Sequence, residues 1–191
     1  MGNKLEGTKT QQCLINSFAG ESQARNRYTY FASIAKKEGY EQISAIFLET
    51  ADNEKEHAKL FYKHLGSGSA TVNGSYPFQL SSTIENLKHA AAGEHEEWSD
   101  LYLNASKIAK EEGFLDVSNT FLNVLEAEKH HEARYLALAK DIESGLVFKK
   151  LGEVHWKCRN CGRTIKGSEA PQVCPTCHHP QAYFELLCDN F

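Results

Sequence analysis

Glu54 and His57 stand three residues apart in the stretch EKEH, and Glu128 and His131 repeat that spacing in EKHH. On a helix the spacing puts a carboxylate and an imidazole on one face. Together these groups suit iron, manganese or zinc. Two more glutamates, Glu21 and Glu94, share an unusual setting with Glu54 and Glu128. Each has apolar neighbours seven positions away: Leu14 and Tyr28, Phe47 and Phe61, Leu87 and Leu101, Phe121 and Tyr135 around Glu21, Glu54, Glu94 and Glu128 in turn. The stripes run on through Ala35, Ile108 and Ile142. Two helical turns return a side chain to nearly the same face, so all four carboxylates belong to buried stripes. A single helical glutamate is normally solvated. A buried carboxylate without a partner is costly, and four that converge also repel one another. Basic side chains are scarce in these stripes, with Arg25 the main candidate, so metal cations are the better remedy.

Glu97 lies one turn beyond Glu94, inside the charged run Glu94-His-Glu-Glu97. It reads either as a solvated glutamate or as a seventh potential ligand. A second cluster is separate from these. Cys158-Arg-Asn-Cys161 and Cys174-Pro-Thr-Cys177 are two Cys-x-x-Cys knuckles with twelve residues between Cys161 and Cys174. Such a pair builds a tetrahedral four-sulfur site, and zinc ribbons and one-iron sites share the pattern. Cys13 and Cys188 read as packing residues.

The elements that position these groups follow from composition and punctuation. Residues 1–147 are rich in Ala, Leu, Glu and Lys with helical spacing, and 152–191 hold five of the six cysteines. The stretch 143–153 between them reads as a linker. Gly39 and Gly113 are plausible helix stops, because glycine takes the left-handed conformation without Cβ strain. Residues 66–78, GSGSATVNGSYPF, are too rich in Gly and Ser for helix and form the one long crossover. Ser82-Thr-Ile-Glu85 is a capping box that starts the third helix, and Ser144-Gly145 closes the fourth. Residues 34–59 align with 108–133 without gaps, and Gly20-Glu21 matches Gly93-Glu94 with a one-residue slip. The chain is therefore mainly α: two duplicated helical hairpins forming a four-helix bundle. A small β-rich metal module follows, with strands at 154–158 and 182–187 and a core of Trp156, Tyr183 and Phe184. That module is too small to fold well without its metal.

The bulk numbers exclude several classes. The 191 residues carry a net charge of −4, so nothing suggests nucleic acid as a partner. No apolar run is long enough to span a membrane, and the first residues lack the apolar core of a signal peptide. A cytoplasmic, reducing compartment is expected, where cysteines are metal ligands or free thiols.

One glutamate from each of two helices, with a Glu-x-x-His from each of the other two, is the ligand set of ferritin-like di-iron and di-manganese bundles. Six groups cannot saturate two separate ions, so Glu54 and Glu128 should bridge. With Glu97 the five carboxylates carry −5, against +4 for two ferrous and +6 for two ferric ions, so the extra anion favours oxidation. The whole chain resembles a rubrerythrin through FAGESQARNRY (18–28), ETADNEKEHAK (49–59), AAGEHEE (91–97), EAEKHHE (126–132) and the C-terminal CRNCG, CPTC and FELL segments. The resemblance implies a ferritin-like bundle with a rubredoxin-like FeS4 domain, two non-haem irons plus one cysteine-bound iron, and zinc as a possible substitute at either site. It implies a peroxidase that reduces hydrogen peroxide to water in an anaerobe or microaerophile. Electrons would come from a rubredoxin or an NAD(P)H-dependent reductase, and the chain would be a homodimer or higher homo-oligomer. Glu21 would bind one iron and Glu94 with His131 the other. His57 would hold the first iron when reduced and Glu97 when oxidised. Tyr28 and Tyr102 would hydrogen-bond the carboxylates. His178 departs from the usual glycine after the second knuckle, a position that often needs positive φ. Two other readings compete: a ferritin-like ferroxidase or iron-handling protein, which would not need the cysteine relay, and a zinc-ribbon interaction protein with a merely structural bundle, which would not need the inward glutamates.

Overall fold

The computed structural model describes residues 5–188. Two long helices, α1 (Lys9–Lys37) and α2 (Glu41–Leu65), form the first hairpin. The third helix of the bundle is composite: α3 (Thr83–Glu96), a π-helical turn (Glu97–Leu101) and α4 (Tyr102–Glu111) follow one another without a break. The helix α5 (Leu115–Glu143) completes the second hairpin. Gly39 and Gly113 both stand at φ 86° in the tight turns, as helix stops should. Ser82 caps α3 by accepting from the Glu85 amide, and Ser144 followed by Gly145 ends α5.

The duplication shows in how the halves hold each other. Glu112, at the end of α4, accepts hydrogen bonds from the Thr10 amide (2.8 Å) and hydroxyl (2.6 Å) at the start of α1. Its counterpart Glu38, at the end of α1, accepts from the Thr83 amide (3.0 Å) at the start of α3. Each half therefore places a carboxylate on the positive helix end of the other. Glu21, Glu54, Glu94 and Glu128 lie in one buried layer. Leu14, Phe61, Tyr102 and Phe121 pack in the core on one side of it. Tyr28, Phe47, Leu87 and Tyr135 pack on the other.

One expected face is wrong. Leu101 is 46% exposed, and Ile108 is only half-buried, whereas Tyr102 and Ala109 are buried. The cause is the π turn, in which the Tyr102 amide donates to the Glu97 carbonyl five residues back. One extra residue in the turn rotates everything after it by about 100° relative to a continuous α-helix. The inward positions thus move from 101 and 108 to 102 and 109. The one-residue slip between the two halves of the sequence is this inserted residue.

In the cysteine module, β1 (Lys149–Cys158), β2 (Thr164–Glu169) and β3 (Phe184–Leu186) form an antiparallel sheet in the order β2-β1-β3. Trp156 pairs with Ile165 on one side and Leu186 on the other, and its indole donates to the Gly167 carbonyl (3.1 Å). The strand β1 begins inside the stretch read as a linker, and β2 went unread because TIKGSE lacks an apolar alternation. Residues 182 and 183, read as strand, belong to a 3-10 turn, Gln181–Tyr183. Trp156, Cys158, Ala170, Cys174 and Phe184 make the buried core, with Phe148 and Tyr183 against it. No described helix is long and apolar enough to cross a membrane.

Candidate metal centres

Each helix of the bundle delivers one glutamate to the buried layer, and α2 and α5 add an imidazole one turn later. Two overlapping clusters result. Glu21, Glu54, His57 and Glu128 form one; Glu54, Glu94, Glu128 and His131 form the other, and in each the ligand atoms lie within 4.8 Å of one another. Glu54 and Glu128 belong to both, which is the geometry of bridging groups. His57 Nδ1 lies 2.9 Å from Glu128 and 3.1 Å from Glu54. His131 Nδ1 lies 2.8 Å from Glu128, 3.3 Å from Glu54 and 3.5 Å from Glu94. Of these contacts only that of His57 Nδ1 with Glu54 Oε2 is a hydrogen bond. Glu21 Oε2, Glu54 Oε1, Glu94 Oε2, both Glu128 oxygens and His131 Nδ1 are buried with no hydrogen-bond partner. Buried polar atoms rarely stay unpaired. Here they face shared points instead of one another, which is what a pair of cations requires.

The proton affinities carry the same message. Burial, and then the charges of Glu54 and Glu128, hold the Glu21 carboxyl well above the usual range. Burial and Glu54 push Glu94 up to about 8. Burial would raise Glu54 too, but His131 and His57 outweigh it and leave its carboxyl below the usual range. Burial would lower both imidazoles. Glu128 and Glu54 nevertheless lift His57 to about 10, and with Glu94 they lift His131 to about 12. Metal ions binding here must displace these protons, so affinity for metal should rise with pH.

Tyr28 on α1 donates to Glu94 Oε1 (2.5 Å), and Tyr102 on α4 donates to Glu21 Oε1. Each tyrosine thus reaches across to the other half of the bundle. Because Glu21 Oε2 already lacks a partner, Tyr102→Phe would leave both oxygens unpaired. The expected result is a loss of about 1–3 kcal/mol in urea unfolding and a 10–100-fold weaker hold on metal, of the order seen when such outer partners are removed. Chelator competition reads the second quantity.

Glu97 stands outside both clusters. The π turn sets it, half-buried, on the wall of a cavity of about 400 Å³ that also includes Gly20, Gly93, Tyr102, Arg27 and Tyr76 of the crossover. Burial, and next the charge of Glu94, hold its carboxyl well above the usual range, while Arg27 pulls it back. Arg27, and not Arg25, is thus the cation that acts on the site. The Arg27 guanidinium donates to Gln23 Oε1 (2.7 Å) and the Pro77 carbonyl (3.3 Å), tying α1 to the crossover. Sequence reasoning missed it because Arg27 lies off the buried stripe. Asn53, which meets the second ring nitrogen of His131 (3.3 Å), was missed as well.

In the cysteine module Cys158 and Cys177, and likewise Cys161 and Cys174, hold their sulfurs 3.7 Å apart. A tetrahedron with metal–sulfur bonds of about 2.3 Å has edges of about 3.8 Å, so the four thiols fit one ion and form no disulfide. Each knuckle turns back through a left-handed residue, Gly162 at φ 75° and His178 at φ 59°. The expected departure at His178 is therefore present, held in a conformation that costs a non-glycine residue about 1–2 kcal/mol. His178→Gly should raise the stability of the metal-loaded module by about 1 kcal/mol, read from thermal loss of the cysteine-site absorption. An unchanged or lower midpoint would show that His178 makes a compensating contact.

These features define a ferritin-like metal-carboxylate bundle joined to a rubredoxin-like four-cysteine module. Residues 12–139 match the rubrerythrin family profile, and residues 156–185 match the rubrerythrin rubredoxin-like domain. The chain belongs to the rubrerythrin family. It is 51% identical to rubrerythrin of Porphyromonas gingivalis over 100% of this chain and 96% of that protein. It is 55% identical to rubrerythrin of Clostridium perfringens over 98% of each. Among solved structures, a mixed-valence state of nigerythrin superposes with a TM-score of 0.63 at 31% identity, covering 98% of this chain and 94% of that one. A bacterioferritin of Desulfovibrio desulfuricans shares the fold alone, with a TM-score of 0.66 at 20% identity over 76% of this chain and 87% of that one. The metal complement is accordingly a di-iron site in the bundle and one iron at the four cysteines. Both donor sets fit it: hard carboxylates and imidazoles for the pair, thiolates for the single ion.

Proposed function

We propose that this protein is a peroxidase that reduces hydrogen peroxide to two waters, consuming two electrons and two protons. The observation that supports it best is the pairing, in one chain, of an enclosed carboxylate–imidazole cluster with a four-thiolate electron site. The bound iron pair would supply the electrons that cleave the O–O bond, and the cysteine iron would restore them one at a time.

The chain's own residues do the rest. Glu21 would hold one ion and Glu94 with His131 the other, and Glu54 and Glu128, which belong to both clusters, would be shared between them. His57 would be the first ion's ligand in the reduced state, and Glu97 would take its place in the oxidised state. The cavity beside Glu97 and Tyr102 is the access route for peroxide. Tyr28 and Tyr102 keep their carboxylates oriented through the change of charge. The protein works as a cytoplasmic homodimer, with electrons from a rubredoxin or an NAD(P)H-linked reductase.

Anaerobic stopped-flow mixing of the fully reduced, metal-analysed protein tests this reading. The bundle should oxidise much faster with hydrogen peroxide than with dioxygen, and the cysteine iron should follow. A faster reaction with dioxygen, or none with peroxide, refutes it. Glu97→Ala should lower turnover by about 10–100-fold and alter the diferric spectrum. A variant indistinguishable from wild type would remove Glu97 from the mechanism.

A further inference from the structure

The two halves of the bundle supply an internal control for the two histidines. The gapless repeat pairs His57 with His131 and Asn53 with Ala127. His131 Nδ1 faces the carboxylates, and its other nitrogen, Nε2, lies 3.3 Å from Asn53 Oδ1 across the hairpin boundary. With Nε2–H donating to Asn53, the Nδ1 lone pair is left for a metal. The contact also ties the ring to α2 at the far end. For His57 the equivalent partner would come from Ala127, which has no polar side-chain atom. Among the described residues every polar contact of the His57 ring runs through Nδ1. The His131 ring has a side-chain contact at each nitrogen, and the His57 ring has them at Nδ1.

A second asymmetry opposes the first. Glu97 lines the same cavity as Tyr102, the tyrosine that donates to Glu21. The match of Gly20-Glu21 with Gly93-Glu94 puts Ala24 at the corresponding place in the first half, and Ala24 is 2% exposed, packed among Tyr28 and Ala91. The tethered histidine has no competing carboxylate, and the histidine with a competitor has no tether.

We infer that Asn53 is a positioning residue that makes His131 the fixed ligand, and that Ala127 at the matching position leaves His57 free to give way to Glu97. This rests on the exchange proposed above. The test compares wild type with Asn53→Ala, Asn53→Asp and Ala127→Asn. Zinc affinity of the His131 side of the bundle is measured by chelator competition, and ring tautomers are read by ¹⁵N-histidine NMR of the zinc protein. Crystal structures of the iron protein in oxidised and reduced states show which ring moves.

Asn53→Ala should weaken zinc at the His131 side about 10-fold and blur its tautomer, and Asn53→Asp should restore both, since a carboxylate accepts the same hydrogen bond. Ala127→Asn should keep His57 in place in the oxidised structure. If Asn53→Ala leaves zinc affinity and the His131 tautomer unchanged, the inference is overturned. If His57 moves in Ala127→Asn as in wild type, the part assigned to Ala127 is overturned. A wild type whose His57 stays put in both states refutes the exchange itself, and the zinc and tautomer results still decide the role of Asn53.

Discussion

Replacing Glu128 by leucine is expected to empty the bundle of its metal pair, cut peroxide turnover by well over about 100-fold, and leave the metal-free protein at least as stable as before. The first two effects follow from position. Glu128 alone lies within 2.9 Å of both imidazoles, and both its oxygens are buried and unpaired. Outer partners of a metal site already cost about 10–100-fold when removed, and a bridging carboxylate serves both ions. The third effect follows from the cost of burial. In the metal-free protein Glu128 shares its layer with Glu21, Glu54 and Glu94, all fully buried. Apolar residues of similar volume in place of buried ionic groups are often neutral or stabilising, by about 1–4 kcal/mol. One imidazole left behind can release its proton while the other stays paired with Glu54, so no charge is stranded. Urea unfolding with and without chelator separates the effects. Wild type should gain strongly on metal loading, and Glu128→Leu should show only the gain due to the cysteine site. Bundle iron at the wild-type level in the variant would disprove the bridging role.

That reversal, a site that weakens the apo fold and strengthens the loaded one, explains why so much of the centre was legible in the sequence. Four glutamates in apolar stripes contradict the ordinary logic of helices, and only a cation resolves the contradiction. Glu21, Glu54, Glu94, Glu128, His57 and His131 could therefore be found from spacing alone, and the structure brings all six together. The cysteine knuckles were legible because two short, fixed spacings leave little else they could be. What escaped was whatever depends on phase or on distant approach. The face of the third helix was misread because a regular period cannot register an inserted residue, although the slip between the halves recorded it. Leu101 and Tyr102 exchanged places for that reason alone. Arg27 and Asn53 act on the site across helix boundaries, and no periodicity within one helix reveals such a reach. The break in the repeat at Asn53 and Ala127 was the signal available for one of them. In the module, β2 has too little apolar pattern to be seen, because its place is set by pairing with β1.

The second large effect belongs to that module. Cys174→Ser should abolish sustained peroxide turnover while leaving a single oxidation of the pre-reduced bundle at nearly the wild-type rate. Cys174 is fully buried in a core of five residues, two of them metal-ligating cysteines. So small a core cannot hold three short strands by hydrophobic burial alone. Structural metal in such modules contributes folding free energy of about 10–16 kcal/mol, so loss of one thiolate should unfold the sheet together with the site. The bundle has its own aromatic core and its own caps, and only local contacts such as the stacking of Tyr40 on Phe148 link the two. It should therefore keep its helices and its iron pair. Hydrogen exchange should show protection lost from 149–188 and retained in α1, α2 and α5. Stopped-flow with chemically reduced protein should show the first oxidation intact, and steady-state assays with a protein donor should show turnover lost. If turnover with the donor persists while the sheet is unfolded, electrons reach the bundle by another route and the relay role of the four cysteines is wrong.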